Sequence, residues 1–162
     1  MAVCLAIVAA GCGGGADEPQ PRVVRGKGYA FEAPRSWALV RTARQVQAAE
    51  GGQSLELVAV SRFPLLKRFR PELWPKVTKE LDRAAKGLAD QQRGTVTASA
   101  TTDVGGRQAR RYDIAFRARG KPLVERIAFV LRGKTEYLLL CRFEQGGDTE
   151  PCDRLLRTFR LT

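Results

Sequence analysis

Between Gly94 and Phe143 the chain is cut into four β-prone stretches by Gly105-Gly106, Gly120-Lys121 and Gly133-Lys134. Glycine supplies the positive φ that tight hairpin turns demand, so stretches divided in this way read as a meander of antiparallel strands. The expected strands cover residues 95–104, 107–119, 123–132 and 135–143. In the second, Tyr112, Ile114, Phe116 and Ala118 alternate with Arg111, Asp113, Arg117 and Arg119, which predicts one core face and one solvent face. In the fourth, Tyr137, Leu139, Cys141 and Phe143 share a face, yet Leu138 and Leu140 make the other face apolar as well. A strand of that kind belongs in the middle of a sheet.

Ahead of the meander, Tyr29 to Ala33 alternates like a strand that stops at Pro34, and residues 37–40 read as a second short one. Residues 54–63 are β-prone with Leu55, Leu57, Val58 and Val60, and a loop with Pro64 and Pro71 follows. From Glu72 to Gln92, Trp74, Val77, Leu81, Ala84 (or Ala85) and Leu88 recur at steps of three or four, the apolar stripe of an amphipathic helix. Thr149-Glu150-Pro151 opens a C-terminal helix with Thr149 as its N-cap and Leu155, Leu156 and Phe159 on its buried side.

The amino terminus has a different character. Residues 2–10 are apolar, Ala9-Ala10-Gly11-Cys12 is a small-small-Cys ending, and Gly13-Gly14-Gly15 begins a polar segment. This is the layout of a secretory signal that ends in a bacterial lipobox, with residues 1–11 as the signal and Cys12 as the lipid-bearing residue. Nine apolar residues are too few to span a bilayer, which takes about 20 in a helix. Residues 12–28, rich in Gly and Pro, read as a flexible tether with a root-mean-square span of about 20–24 Å, and residues 29–162 as one domain. Cys4 leaves with the signal and Cys12 takes lipid, so Cys141 and Cys152 remain, and in an exported protein such a pair forms a disulfide.

The expected location is the extracytoplasmic side of the cell membrane. There a formal charge of +11 favours anionic neighbours: lipid headgroups or acidic envelope polymers, with nucleic acid the weakest choice. Three cationic clusters stand out, namely Arg62/Lys67/Arg68/Arg70, Arg107/Arg110/Arg111 and Arg117/Arg119/Lys121. Only the first is interleaved with Phe63, Leu65, Leu66 and Phe69. Arg62, Lys67, Arg68 and Arg70 are therefore the candidate contacts with an anionic surface.

Catalytic chemistry finds no foothold. Histidine is absent, which removes the commonest general base and metal ligand, and no nucleophile-elbow, zinc-protease or phosphate-loop motif occurs. Glu72, Glu80 and Asp82 alternate with Lys76, Lys79 and Arg83, the pattern of ion pairs on a helix surface. Glu125, between Leu123 and Ile127 on an inner face, is expected to pair with an arginine of a neighbouring strand. No catalytic residue, metal or cofactor is assigned.

The order of elements, with Gly28-Tyr29-Ala30-Phe31-Glu32-Ala33-Pro34, Trp37, Gly106-Arg107-Gln108-Ala109-Arg110-Arg111 and a last strand leading into Leu155-Leu156-Arg157-Thr158-Phe159, resembles the PsbP-like family. That family is named for an extrinsic subunit of photosystem II and also occurs in bacterial lipoproteins. The resemblance covers residues 28–161 and implies an α+β fold, an α/β/α sandwich with a mainly antiparallel central sheet, one long helix and a C-terminal helix. It carries over no catalytic residues, because its motifs are turn glycines, core aromatics and a strand-ending proline. The function it leaves open is binding of an unidentified partner protein, an envelope polymer or a small ligand. The alternatives are a scaffold that stabilises an envelope complex and, less favoured, an enzyme that works through Asp, Glu, Arg or Tyr alone.

Overall fold

The computed structural model describes residues 20–162; the apolar amino-terminal run and Cys12 lie outside them. The centre of the fold is β9 (Thr135–Glu144), flanked by β8 (Lys121–Arg132) on one side and β5 (Leu57–Pro64) on the other. β7 (Gln108–Ala118) and β6 (Thr95–Asp103) extend the sheet beyond β8, while β4 (Gln45–Ala49) and β3 (Ala38–Arg41) extend it beyond β5. All the pairings in this seven-stranded sheet are antiparallel. The class is α+β, with a mainly antiparallel sheet, one long helix and one C-terminal helix.

Each face of the sheet receives its own layer. On one face α1 (Trp74–Gln91) lays Leu81, Ala85 and Ala89 against Tyr112, Ile114, Ile127 and Phe129. Ala85 rather than Ala84 completes the helical stripe, and a 3-10 turn over Pro71–Leu73 leads into it. On the opposite face lie α2 (Glu150–Thr158) and a small sheet of β1 (Pro21–Gly26), β2 (Tyr29–Pro34) and β10 (Arg160–Leu161). Their Phe31, Leu155 and Phe159 meet Val58, Val60, Leu139 and Phe143 in the larger core. Leu138 and Leu140 thus face α1 while Leu139 and Cys141 face α2, which is why β9 is apolar on both sides.

The structure departs from the sequence reading in four places. First, the flexible tether does not extend to residue 28, because Pro21–Gly26 is a strand paired with β2. Only Val24 of that strand is buried, between exposed Val23 and Arg25, so the alternation is too short to register as a pattern. Second, the arginine-bearing face of β7 is not simply solvated. Asp113 receives two hydrogen bonds from Arg126, at 2.9 and 3.0 Å, and Arg126 reaches on to Asp153 of α2 at 3.1 Å. Third, the Thr149 side chain makes no capping bond; its hydroxyl donates to Asp153 (2.9 Å), while the Asp148 carboxylate accepts the Glu150 N–H (2.9 Å). Fourth, β4 and β10 were not anticipated.

One glycine position is dictated by packing. At Gly105 φ is +62°, and a Cβ there would lie 2.6 Å from the Phe159 carbonyl oxygen. The turn between β6 and β7 therefore presses directly on the end of α2, where no side chain fits.

Cys141 on β9 and Cys152 in the first turn of α2 are joined in a disulfide, with Cα atoms 5.4 Å apart. The bridge fastens the small terminal helix to the central strand. With 11 residues of sequence separation, the chain-entropy model gives it about 3 kcal/mol. Replacing both cysteines with alanine is expected to lower stability by about that amount. Urea titration would show it as a midpoint shift that a reductant reproduces in the parent protein but not in the variant.

Candidate functional site

At one end of the sandwich the turn between β1 and β2, the turn between β3 and β4 and the end of β5 come together. The Tyr29 hydroxyl donates to the Val60 carbonyl (2.9 Å), which seats the turn between β1 and β2 against β5. Arg41 of β3 donates to the Arg25 carbonyl (2.6 Å), and the Arg62 N–H donates to the Arg44 carbonyl (2.8 Å). The Thr42 hydroxyl accepts the N–H groups of Arg44 (3.3 Å) and Gln45 (3.1 Å) and shapes the tight turn between β3 and β4. The result is a cleft of about 200 Å³ lined by Arg25, Lys27, Arg41, Arg44 and Arg62. Among the described residues no carboxylate lines it, and none of these five cations takes part in an ion pair.

On the other face of the sheet, at the same end, the loop after β5 leans back over the hairpin of β8 and β9. Its Leu65 N–H donates to the Lys134 carbonyl (2.9 Å) and its Phe69 N–H to the Gly133 carbonyl (2.7 Å). Beneath it runs an apolar groove of about 480 Å³ between the loop and the first half of α1, with Leu65, Phe69, Val77 and Leu131 in its wall. Lys67, Arg68 and Lys76 line the groove too. Leu66, at the loop tip, is 100% exposed.

Glu136 also lines this groove, opposite Phe63 in the register of β5 and β9. Burial pushes its carboxyl above the usual glutamate range. Among the described residues it has no ion-pair partner.

The four-residue cluster Arg62/Lys67/Arg68/Arg70 is therefore divided. Register explains why: Arg62 stands opposite Tyr137 and Phe63 opposite Glu136, so the two neighbours point to opposite faces of the sheet. Arg62 joins the cationic cleft, while Lys67 and Arg68 line the apolar groove. Arg70 is exposed just before the 3-10 turn and lines neither. Sequence reasoning missed Arg25, Lys27, Arg41 and Arg44 as site residues. They come from separate turns that no spacing rule links.

Asp82 and Glu125 are held in place by partners. Asp82 leaves its own helix surface and crosses to β7. It accepts the Tyr112 hydroxyl at 2.6 Å and Arg110 at 3.1 and 3.2 Å. The Tyr112 hydrogen bond, then Arg110, holds Asp82 below the usual carboxylate range. Burial, followed by Asp82, drives the Tyr112 hydroxyl far up, so this phenol keeps its proton. The group clips α1 to the sheet. Glu125, 1% exposed, accepts Arg142 of β9 at 2.7 and 3.2 Å and Gln92 at 2.7 Å. It is the cross-strand ion pair its position in the sequence suggested. Lys121 of the third cluster pairs with Glu144, and Arg117 donates to the Gly120 carbonyl (2.6 Å).

No protein-family model matches this sequence, and no curated protein is similar to it. Solved structures are similar in fold. One is a protein of Bacteroides thetaiotaomicron, with a TM-score of 0.63 at 10% identity over 90% of this chain and 49% of that one. This chain thus spans about half the length of the Bacteroides protein, and the likeness shows the fold alone. Another is LpqN of Mycobacterium tuberculosis, described as involved in cell envelope biogenesis, with a TM-score of 0.48 at 10% identity over 91% of this chain and 87% of LpqN.

The environment of Glu136 has a measurable consequence. The folded protein holds this proton more tightly than the unfolded chain does, so stability falls as pH rises from the ordinary glutamate value, about 4.3, toward the higher folded one. Glu136→Gln removes that loss. The variant is expected to be more stable than the parent at about pH 7 and indistinguishable from it at about pH 3. Urea midpoints at the two pH values give the comparison.

Proposed function

We propose that this is an exported, lipid-anchored, non-catalytic binding protein of the cell envelope, with a PsbP-like domain that docks on an anionic membrane surface. Cys12 carries the lipid in this reading, and the disulfide between Cys141 and Cys152 suits an oxidising compartment. The observation that carries the docking is Leu66, a fully exposed leucine at the tip of a loop with Lys67 and Arg68 beside it. An apolar tip among cations matches the boundary between acyl chains and anionic headgroups, where each cation adds about 1 kcal/mol of attraction.

Chain length supports the same arrangement. With β1 beginning at Pro21, eight residues separate Cys12 from the first strand, and that many residues reach at most about 30 Å however they are arranged. A lipid on Cys12 therefore holds the domain close to the membrane. A single acyl chain holds a protein only marginally, so the cationic loop orients the domain while additional chains retain it.

One observation favours a scaffold as a second reading. α1 packs over β6 and β7, and at the far edge of the same sheet face Val40 of β3 is 55% exposed. A protein partner lying on β3 and β4 would cover it.

Co-sedimentation tests the docking. A chain carrying Cys12→Ser, and so free of lipid, is expected to bind phosphatidylglycerol vesicles at low salt and to release them at about 1 M salt, where the screening length is about 3 Å. Neutralising Lys67, Arg68 and Arg70 together should weaken binding by about two orders of magnitude. Leu66→Asp should weaken it as well. Binding that ignores both changes would exclude this loop as the contact. The anchor is tested separately: mass spectrometry of the membrane fraction should find an acylated Cys12 at the mature amino terminus, and Cys12→Ser should move the protein into the soluble fraction.

A further inference from the structure

The cleft formed by Arg25, Lys27, Arg41, Arg44 and Arg62 plays no part in the loop docking described above, and its charge is unexplained by the fold. Elsewhere in the domain, three arginines that approach the core bring their counter-charge with them. Arg126 is matched by Asp113 and Asp153, Arg142 by Glu125, and Arg110 by Asp82. Here five cations line one small space with no carboxylate among the described residues. Arg62 is half-buried, on the β5 face that carries core residues Val58 and Val60. Holding like charges together costs free energy, and a bound anion cancels that cost.

The shape and chemistry of the cleft narrow the kind of anion. Four of the five cations are arginines, whose planar forks match two oxygens of one phosphate at a time. The space, about 200 Å³, lies below the range of roughly 300–1,000 Å³ usual for sites that take whole small molecules. It suits a compact, highly charged group. The aromatic ring of the cleft, Tyr29, is 3% exposed and packs against Phe31, Tyr137 and Phe159, so no ring face is open for a nucleobase to stack on. Thr42 and Gln45 add uncharged polar side chains to the wall.

We propose that this cleft is a binding site for a phosphate or pyrophosphate group, borne by a lipid headgroup or free in solution. The turns between β1 and β2 and between β3 and β4 form its two lips, and Arg62 forms its floor. The site lies on the opposite sheet face from Leu66, Lys67 and Arg68, so it stands or falls independently of the docking loop.

Calorimetric titration of the full chain with inorganic pyrophosphate tests it. Saturable one-to-one binding is expected, with acetate at equal ionic strength binding far more weakly. Arg44→Gln and Arg62→Gln should each weaken the complex about tenfold or more, the usual effect of losing a charge-assisted hydrogen bond. Lys67→Gln with Arg68→Gln should leave it unchanged. Absence of saturable pyrophosphate binding by the parent chain would overturn the proposal, whatever the variants do. So would equal affinity in the parent, Arg44→Gln and Arg62→Gln proteins. Vesicles containing phosphatidic acid identify the source: release by pyrophosphate assigns the cleft to a lipid headgroup, whereas vesicle binding indifferent to pyrophosphate, with pyrophosphate itself still bound, assigns it to soluble phosphate.

Discussion

β9 is the strand on which the other layers depend. Its Leu139, Cys141 and Phe143 belong to the larger core beneath α2 and the small sheet, while Leu138 and Leu140 pack against the core beneath α1. A slip of one residue would turn Cys141 away from α2 and Arg142 away from Glu125, so these two partners pin its register. The same strand carries Arg142, which holds the buried Glu125 of β8, and Cys141, which holds α2. Both cores, the deepest ion pair and the covalent staple therefore converge on ten consecutive residues.

The distribution of charge follows from this arrangement. Acidic side chains are drawn inward to neutralise arginines that bridge layers: Asp113 and Asp153 around Arg126, Glu125 beside Arg142, and Asp82 between α1 and β7. With only 17 acidic residues for 28 basic ones, this leaves a surplus of cations. Much of that surplus sits where strands turn at one end of the sheet, on the lips of a cleft and along a loop with an exposed leucine. Among the described residues, the ion-paired carboxylates thus sit between layers, while unpaired cations gather at one end of the sheet.

Much of the fold was legible in the sequence because the signals were local. Glycine pairs mark the hairpins from β6 to β9, a stripe at helical spacing marks α1, and two-sided hydrophobicity marks β9 as central. β1, β4 and β10 escaped for one shared reason: each is short and presents only one or two inward apolar residues, Val24 in β1 and Val46 with Ala48 in β4. Such segments become strands through their partners rather than through their own preference. The ion pair of Glu125 could be anticipated from its place between Leu123 and Ile127, since a carboxylate on a core face needs a cation. The partner of Asp82 could not, because its helix offered nearer cations than Arg110.

By itself the sequence determined the excess of positive charge, the pairing of the two late cysteines, the four-strand meander and the two helices. These depend on composition, spacing and period, which the chain carries without folding. Only the tertiary structure decided which cations act together. It sent Arg62 to one face of the sheet and left Lys67 and Arg68 on the other, then brought Arg25, Lys27, Arg41 and Arg44 to Arg62 from separate turns. The reason is geometric: alternation along a strand separates neighbours in sequence, and antiparallel pairing returns distant turns to the same end of a sheet.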